Sequence, residues 1–324
     1  MGQRLRMIQP ARPTIIRRMA ASRILIGYDG SPHAEDALAL GRVLSAATGA
    51  EIVLARIVPL DPLVLTAVPL PELRARYEDQ ERQVLEELQR VADRHGVTAE
   101  AGPGASTAQG LHDLADELDP ELVVVGSSHR GRVGEVMAGN VALRLLNGLD
   151  RPLAVAPADY AAREARLGTI GVGFDGSPEA QAALQTAGRL ARAVDAEVEL
   201  IGATVPHAAL TPHPWAFGWG AGAARDDVDE RMRGRIESAA GGLPREVRHS
   251  ERLQAGAPAP ILLGATDYLD LLVLGSRGYG PARRLLLGSV SGRIVREARC
   301  PVLVVPRPAA REREPLPASA AAPA

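Results

Sequence analysis

The chain has 324 residues, enough for two α/β domains of ordinary size, and its 46% hydrophobic and 23% charged residues are typical of globular proteins. A formal net charge of −2 gives no general reason to expect nucleic acid or a membrane surface as a partner. The sequence contains no lysine. Walker A phosphate loops and Schiff-base enzymes both require that residue, so both are excluded.

Targeting and redox signals point to the cytoplasm. Residues 1–20 are rich in arginine and lack the apolar core of a secretory signal, so we expect a disordered extension there, with Met19 as an alternative start. No stretch approaches the length of a membrane span, since residues 60–70 are interrupted by Asp61 and two prolines. The single Cys300 precedes a proline in an apolar strand, which favours a buried thiol over a nucleophile.

The first half alternates strands and helices. A strand beginning at Ile24 ends at Asp29, and Gly-Ser-Pro then leads into an Ala/Leu-rich helix over 34–48. The elements predicted after it are strands over 51–58, 97–101, 122–125 and 153–157, with helices over 71–94 and 108–117. Apolar runs without alternation are typical of strands buried on both faces, so we predict a parallel sheet covered by helices on both sides.

The second half repeats the first. The strand that ends at Asp29 is matched by one that ends at Asp175, an offset of 175 − 29 = 146 residues, and each is followed by Gly-Ser-Pro and a helix. The segments 122–126 and 271–275 match at an offset of 271 − 122 = 149. A nearly constant offset over separated segments predicts two copies of one domain, joined through residues 158–167.

A glycine-rich turn in the second copy carries the clearest functional signal. Gly275, Gly278, Gly288 and Ser289 lie between an apolar strand and a helix predicted over 290–299. Glycines at such a turn let a phosphate chain lie against the backbone, and the following helix offers unpaired N–H groups and the positive end of its dipole. The turn therefore predicts a nucleotide site.

With this motif, the repeat and the element order, the chain resembles a tandem universal stress protein over residues 21–157 and 168–306, and residues 307–324 form an expected disordered tail. The resemblance implies an α/β fold with two tandem open five-stranded parallel sheets and helices on both faces, Rossmann-like and adenine nucleotide alpha hydrolase-like. It also implies that the last strands pair across the two copies. That pairing would make the chain an intramolecular pseudo-dimer, with a further homodimer left open.

The same resemblance implies that the second copy binds ATP, with or without Mg²⁺. The Asp175 carboxylate is expected to accept from ribose hydroxyls, and the backbone at Gly173, Phe174 and Ala203 to frame the adenine. The residues expected around the phosphates are Gly275, Gly278, Gly288, Ser289, Val290 and Ser291. Taken singly, the same features also suit plain structural roles, because glycines serve tight turns and Asp-Gly-Ser-Pro is good helix-capping chemistry.

The first copy departs from the family pattern. His129 stands where the second glycine of the loop is expected, and Asn140 stands where serine or threonine is expected. Asp29, Gly126 and Gly139 are retained, so these residues and Asn140 form a candidate second site. Weaker ATP binding, another adenine nucleotide and an empty pseudo-site all remain open for it.

These observations lead us to expect an ATP-binding regulator of the stress response. ATP binding would change its conformation and thereby its binding to an unknown protein partner. No Ser-His-Asp or paired-carboxylate arrangement is expected at the strand ends beyond Asp29 and Asp175, so we predict no catalytic residue, no metal ligand set and little or no hydrolysis. A nucleotide-independent interaction protein and a slow ATPase are the alternatives. Trp215, Phe217 and Trp219 suit an adenine lid, an interface patch or a loop packed on the sheet edge.

Overall fold

The structure is a computed structural model that describes residues 22–59, 70–127, 140–163, 166–204, 221–276 and 288–306. The side chains of 70–74, 140 and 221–227 lie outside that description. The predicted disordered ends, the aromatic segment around Trp215, and the loop residues Gly278, Gly139 and His129 also lie outside it. The expectations for these residues therefore stay predictions.

The described elements alternate as the sequence predicts. The strands are β1 (Arg23–Gly27), β2 (Glu51–Pro59), β3 (Thr98–Gly104), β4 (Leu122–Gly126), β5 (Leu153–Ala156), β6 (Thr169–Gly173), β7 (Glu197–Thr204), β8 (His249–Ala255), β9 (Leu271–Gly275) and β10 (Val302–Val305). The helices are α1 (Pro32–Thr48), α2 (Leu70–His95), α3 (Thr107–Leu118), α4 (Asn140–Leu146), α5 (Pro178–Val194), α6 (Ala221–Ala240), α7 (Pro258–Ala265) and α8 (Ser289–Glu297).

The ten described strands form one sheet in the order β3-β2-β1-β4-β5-β10-β9-β6-β7-β8. Within each half all neighbouring strands are parallel. In both halves the first strand lies at the centre, where the chain order of the strands reverses. Ligands of open α/β sheets bind beyond the carboxyl ends of the strands at this switch in order.

The two halves join where the last strand of each pairs with the other. β5 and β10 are antiparallel, with Val155 opposite Val302 and Leu153 opposite Val304. The predicted pairing of the last strands is therefore confirmed, and the two five-stranded sheets are continuous.

Two buried layers, one on each face of the sheet, hold the helices in place. One layer packs α1, α2, α5 and α6 against alternate strand residues, and it extends across both halves. The other packs α3, α4, α7 and α8 on the opposite face. Successive strand residues such as Val123 and Val124 enter opposite layers and are both fully buried, which explains why the strand sequences do not alternate.

The connector that joins the halves through residues 158–167 is hydrogen-bonded to α1. The buried carboxylate of Asp36 in α1 accepts hydrogen bonds from the backbone N–H groups of Ala161 (2.8 Å) and Asp159 (3.1 Å). Arg163 then donates to the carbonyl oxygen of Arg299, just before β10. Burial raises the pKa of Tyr160 in this connector to about 12.

Some predicted boundaries shift for local reasons. The last helix ends at Glu297 and not at Arg299, because Ala298 is extended and its N–H closes the final turn on Ile294. Strand β3 continues to Gly104 because β2 supplies a parallel partner as far as Pro59. Of the helices within the described ranges, none has the length and apolarity needed to cross a membrane.

Candidate functional site

The Asp-Gly-Ser-Pro segment builds the turn from the central strand of each half into its first helix. In the second half the Asp175 carboxylate accepts from the N–H of Ser177 (2.9 Å), and Gly176 takes a left-handed conformation with φ of +79°. The hydroxyl of Ser177 then caps α5 by accepting from the N–H of Ala180 (3.1 Å), and Pro178 begins the helix. The first half repeats these contacts, so capping accounts for part of the motif.

Gly275 is required by packing in its own right. A Cβ built on this residue would lie 2.5 Å from the carbonyl carbon of Glu179 and 2.7 Å from its Cβ. The first turn of α5 thus lies directly against the end of β9. The contact explains the glycine without reference to any ligand.

The N-terminus of α8 has no side-chain cap within the described part of the chain. Gly288 is extended, no side chain among the described residues caps the helix, and the first backbone bond of the helix runs from Gly292 N–H to the Gly288 carbonyl oxygen (2.8 Å). The N–H groups of residues 289–291 consequently have no acceptor within the helix. Such an end suits an anion, since the dipole adds positive potential. The Ser291 hydroxyl donates to the Gly275 carbonyl oxygen at 3.4 Å and so ties this end to β9.

A cavity of about 480 Å³ opens at this edge of the second half. The sequence-predicted residues that line it are Gly173, Phe174, Asp175, Ala203, Gly275, Val290 and Ser291. Gly288 and Ser289 lie beside it at the start of α8, and Gly278 is outside the described residues. The structure thus places most of the predicted site residues around one space.

Other lining residues were missed by the sequence reasoning. Glu179 enters the cavity from the first turn of α5, and Ser276 enters from the residue after β9. The Ser276 side chain is buried, and its hydroxyl has no hydrogen-bond partner within the described part of the chain. Pro258, Ile261 and Leu262 of α7 form an apolar wall. The sequence could have indicated Glu179, because this residue lies in the first turn of the helix that follows Asp175. Nothing in the sequence pattern indicated the apolar wall of α7.

The first half holds an equivalent cavity of about 490 Å³. Of the candidate second-site residues, Asp29 and Gly126 line it. Asn140 begins α4, with its side chain outside the description, and Gly139 is outside it altogether. Tyr28 also lines the cavity and donates its hydroxyl hydrogen to Glu35. Burial, and to a smaller extent that hydrogen bond, raises the pKa of the Tyr28 hydroxyl to about 12.

Two lining residues of the first cavity, Ser127 and His33, lie near the buried carboxylate of Asp36, an arrangement that the strand-end residues did not indicate. His33 Nδ1 lies 3.5 Å from Ser127 Oγ and 3.7 Å from Asp36 Oδ2. In a hydrolytic triad the serine and the carboxylate contact different ring nitrogens, whereas here both face the same one. The cluster therefore does not have the geometry for serine activation.

The described ranges offer neither a metal-ligand cluster nor an accessible thiol. Across the described residues, no group of three or more His, Cys, Asp or Glu side chains could hold a metal ion. Cys300 is buried just before β10, and burial raises the pKa of its thiol to about 12. This environment disfavours the thiolate that a nucleophile needs.

Comparisons with known proteins agree with this architecture. Residues 21–157 and residues 167–306 each match the sequence model of the universal stress protein family. A universal stress protein of Mycolicibacterium smegmatis is 28% identical over 295 residues, covering 87% of this chain and 96% of the relative. A universal stress protein of Mycobacterium bovis is 26% identical over 296 residues, covering 87% and 96%. The crystal structure of a universal stress protein from Archaeoglobus fulgidus superposes with a TM-score of 0.62 at 18% identity, covering 88% of this chain and 98% of that one.

Proposed function

Since this chain belongs to the universal stress protein family, with matches over both halves, we propose that it is an ATP-binding regulatory protein of the stress response. The observation that carries the proposal is the cavity in the second half, which combines the Asp175 carboxylate with the nearby open end of α8. An exposed carboxylate suits ribose hydroxyls, and free N–H groups suit phosphates. The cavity volume of about 480 Å³ is in the range of small-molecule sites.

Each part of the nucleotide has a proposed neighbour. The apolar wall of α7, with Phe174 and the end of β7 at Ala203, receives the adenine. The Asp175 carboxylate accepts from the ribose. The phosphates lie between the end of β9 at Gly275 and the N–H groups of residues 289–291, and Gly278 lets the loop approach them.

We propose regulation by occupancy, with little or no hydrolysis. ATP would order the phosphate loop and so change a surface recognised by a protein partner in the cytoplasm. The described lining of the second cavity contains no arginine and the chain contains no lysine, so that described lining itself offers no cation to stabilise charge during phosphoryl transfer. A slow ATPase and a nucleotide-independent interaction protein are the alternatives to be tested.

Calorimetric titration with Mg-ATP tests the proposal. Gly278→Asp places a carboxylate where the phosphates are expected, and it should abolish the second-half binding event while the circular dichroism spectrum stays unchanged. Gly234→Ala is the matched control, because Gly234 is exposed in α6 and no atom lies within 4 Å of the added Cβ. Unchanged ATP affinity in folded Gly278→Asp protein would refute the placement.

Two further assays separate the alternatives. Acid extraction of the purified protein, followed by chromatography, reveals any bound nucleotide and its stoichiometry. Phosphate release above the buffer rate during prolonged incubation with Mg-ATP would identify an ATPase. A protein that releases no nucleotide and titrates no ATP would be the nucleotide-independent interaction protein.

A further inference from the structure

The outer face of α7 carries no polar side chain. The helix has eight residues, none of them charged, and its buried members are Ala259, Leu262 and Ala265. Pro260 and Gly264 are exposed. A Cβ added to Gly264 would have no atom of the described residues within 4 Å. A helix at the surface normally presents charged or polar residues to water, so the outer face of α7 indicates a surface that a partner covers.

Arginines surround this apolar face. Arg252 of β8 lies on the same side of the sheet, because it is the register partner of Ile201, which is buried in the α7 layer. Helix α8 packs beside α7, and its exposed arginines and the one that follows it are Arg293, Arg296 and Arg299. Three of the four arginines have a carboxylate within 3.2 Å. The face is therefore close to neutral, with an apolar centre and a rim of paired charges.

The equivalent face of the first half is acidic. Residues 109–121 and 140–151 hold six acidic residues and two arginines, a net charge of 2 − 6 = −4. Their equivalents at an offset of 149, residues 258–270 and 289–300, hold three of each, a net charge of 3 − 3 = 0. The exposed carboxylates of α3 and of the residue that follows it are Asp113, Asp116, Glu117 and Asp119. The two halves thus present surfaces of different charge on one side of the molecule.

The sheet places these two surfaces symmetrically about the junction of β5 and β10. Helix α3 packs on β2 and β3, and α7 packs on β7. In the strand order, β2 and β7 are each the fourth strand from the junction. A two-fold axis that runs parallel to the strands, outside the helix layer, would therefore place α3 of one copy over α7 of another, and the reverse. An axis perpendicular to the strands would instead place the two acidic faces over each other, where like charges repel.

The layer is large enough for a stable interface. Ten strands span roughly 43 Å at about 4.8 Å per spacing. Helix α3 has 12 residues and is about 18 Å long. The product, roughly 770 Å², is close to the ~800 Å² that each partner buries in a standard interface.

We propose that two copies of this chain form a homodimer through the layer of α3, α4, α7 and α8, with the acidic α3 of each copy against the apolar α7 of the other. The last strands β5 and β10 are paired within the chain, so a second copy must use another surface. The interface uses no nucleotide and does not depend on the function proposed above.

Sedimentation velocity of the full chain, over a dilution series in low-salt buffer, tests the assignment. The monomer has a mass of 34.1 kDa, so the dimer should sediment with 2 × 34.1 = 68.2 kDa. Gly264→Glu adds a carboxylate opposite the partner's acidic α3, and it should raise the dimer Kd by about tenfold or more. The fold should be kept, because the space around Gly264 accepts a Cβ and glutamate is a better helix former than glycine.

Gly234→Glu is the matched control. Gly234 is also exposed in a helix with no atom of the described residues near an added Cβ, but its helix α6 packs on the opposite side of the sheet. This variant should dimerise like wild type. A dimer that Gly234→Glu dissociates would place the interface on the α6 side and overturn the inference.

A charge exchange on α3 tests the pairing of the two helices. Asp113 is exposed in α3 and accepts from Gln109 within the same helix. Asp113→Arg combined with Gly264→Glu places opposite charges across the interface again, and this double variant should dimerise more tightly than Gly264→Glu alone. The inference is overturned if wild-type protein remains a monomer throughout the series, if folded Gly264→Glu dimerises as tightly as wild type, or if the double variant is no tighter than Gly264→Glu.

Discussion

Substitution of Gly275 by alanine separates packing from ligand binding. The added Cβ would lie 2.5, 2.6 and 2.7 Å from the carbonyl carbon, carbonyl oxygen and Cβ of Glu179, closer than real Cβ contacts. Two of these atoms are backbone, so a rotamer change cannot relieve the clash, and the first turn of α5 must move. Overpacking of this kind costs about 1–3 kcal/mol. Against a total stability of about 5–15 kcal/mol for a domain, the loss is easily measured.

Urea unfolding of nucleotide-free protein is the suitable assay. Gly275→Ala should lower the free energy of unfolding by about 1–3 kcal/mol when no nucleotide is present. Gly234→Ala should instead raise the free energy of unfolding by about 0.5–1 kcal/mol, because alanine is favoured over glycine at an exposed helical position where it meets no clash. The packing argument fails if Gly275→Ala unfolds like wild type. If that variant also lost ATP binding, the glycine would serve the phosphates alone.

Three further outcomes follow from local contacts. Ser177→Ala removes the α5 cap and should lower stability by about 1 kcal/mol in urea unfolding; an unchanged midpoint would contradict the capping role. Asp36→Ala leaves the Asp159 and Ala161 N–H groups without their acceptor, so stability should fall by about 1–3 kcal/mol and hydrogen exchange of both amides should speed up. Because burial raises the pKa of Cys300 from 9.0 to about 12, native protein should resist thiol reagents at pH 8 and react only when unfolded. The raised pKa also means that the stability contributed by this thiol is intact below pH 9 and is lost as the pH rises towards 12.

Much of the fold could be predicted because the two copies share the same strong local signals. The apolar runs, the aspartate two residues after the central strand (Asp175 in the second half) and the capping serine identify the central strands and the helices that follow them. The offset between the copies then predicts two similar sheets. The pairing of β5 with β10, by contrast, came from the family resemblance, since an apolar strand such as Leu153–Ala156 does not identify its partner.

The chemistry of the cavities was harder to predict. Asp175 and Gly275 are visible because strand ends and glycines carry recognisable patterns. Glu179 and His33 are ordinary residues in the first turn of a helix, and only the close approach of that helix to a strand-end glycine brings them into the cavity. Asp36 reads as a polar residue on a helix face, yet it is buried against a connector more than a hundred residues away, since 159 − 36 = 123.

A crystal of the protein soaked with Mg-ATP provides the most direct test of ATP binding in the second half. The account predicts nucleotide density in the second cavity, with the ribose beside the Asp175 carboxylate and the phosphates over the N–H groups of residues 289–291. A second cavity that stays empty at saturating ATP, or a nucleotide bound with its phosphates away from α8, would contradict it.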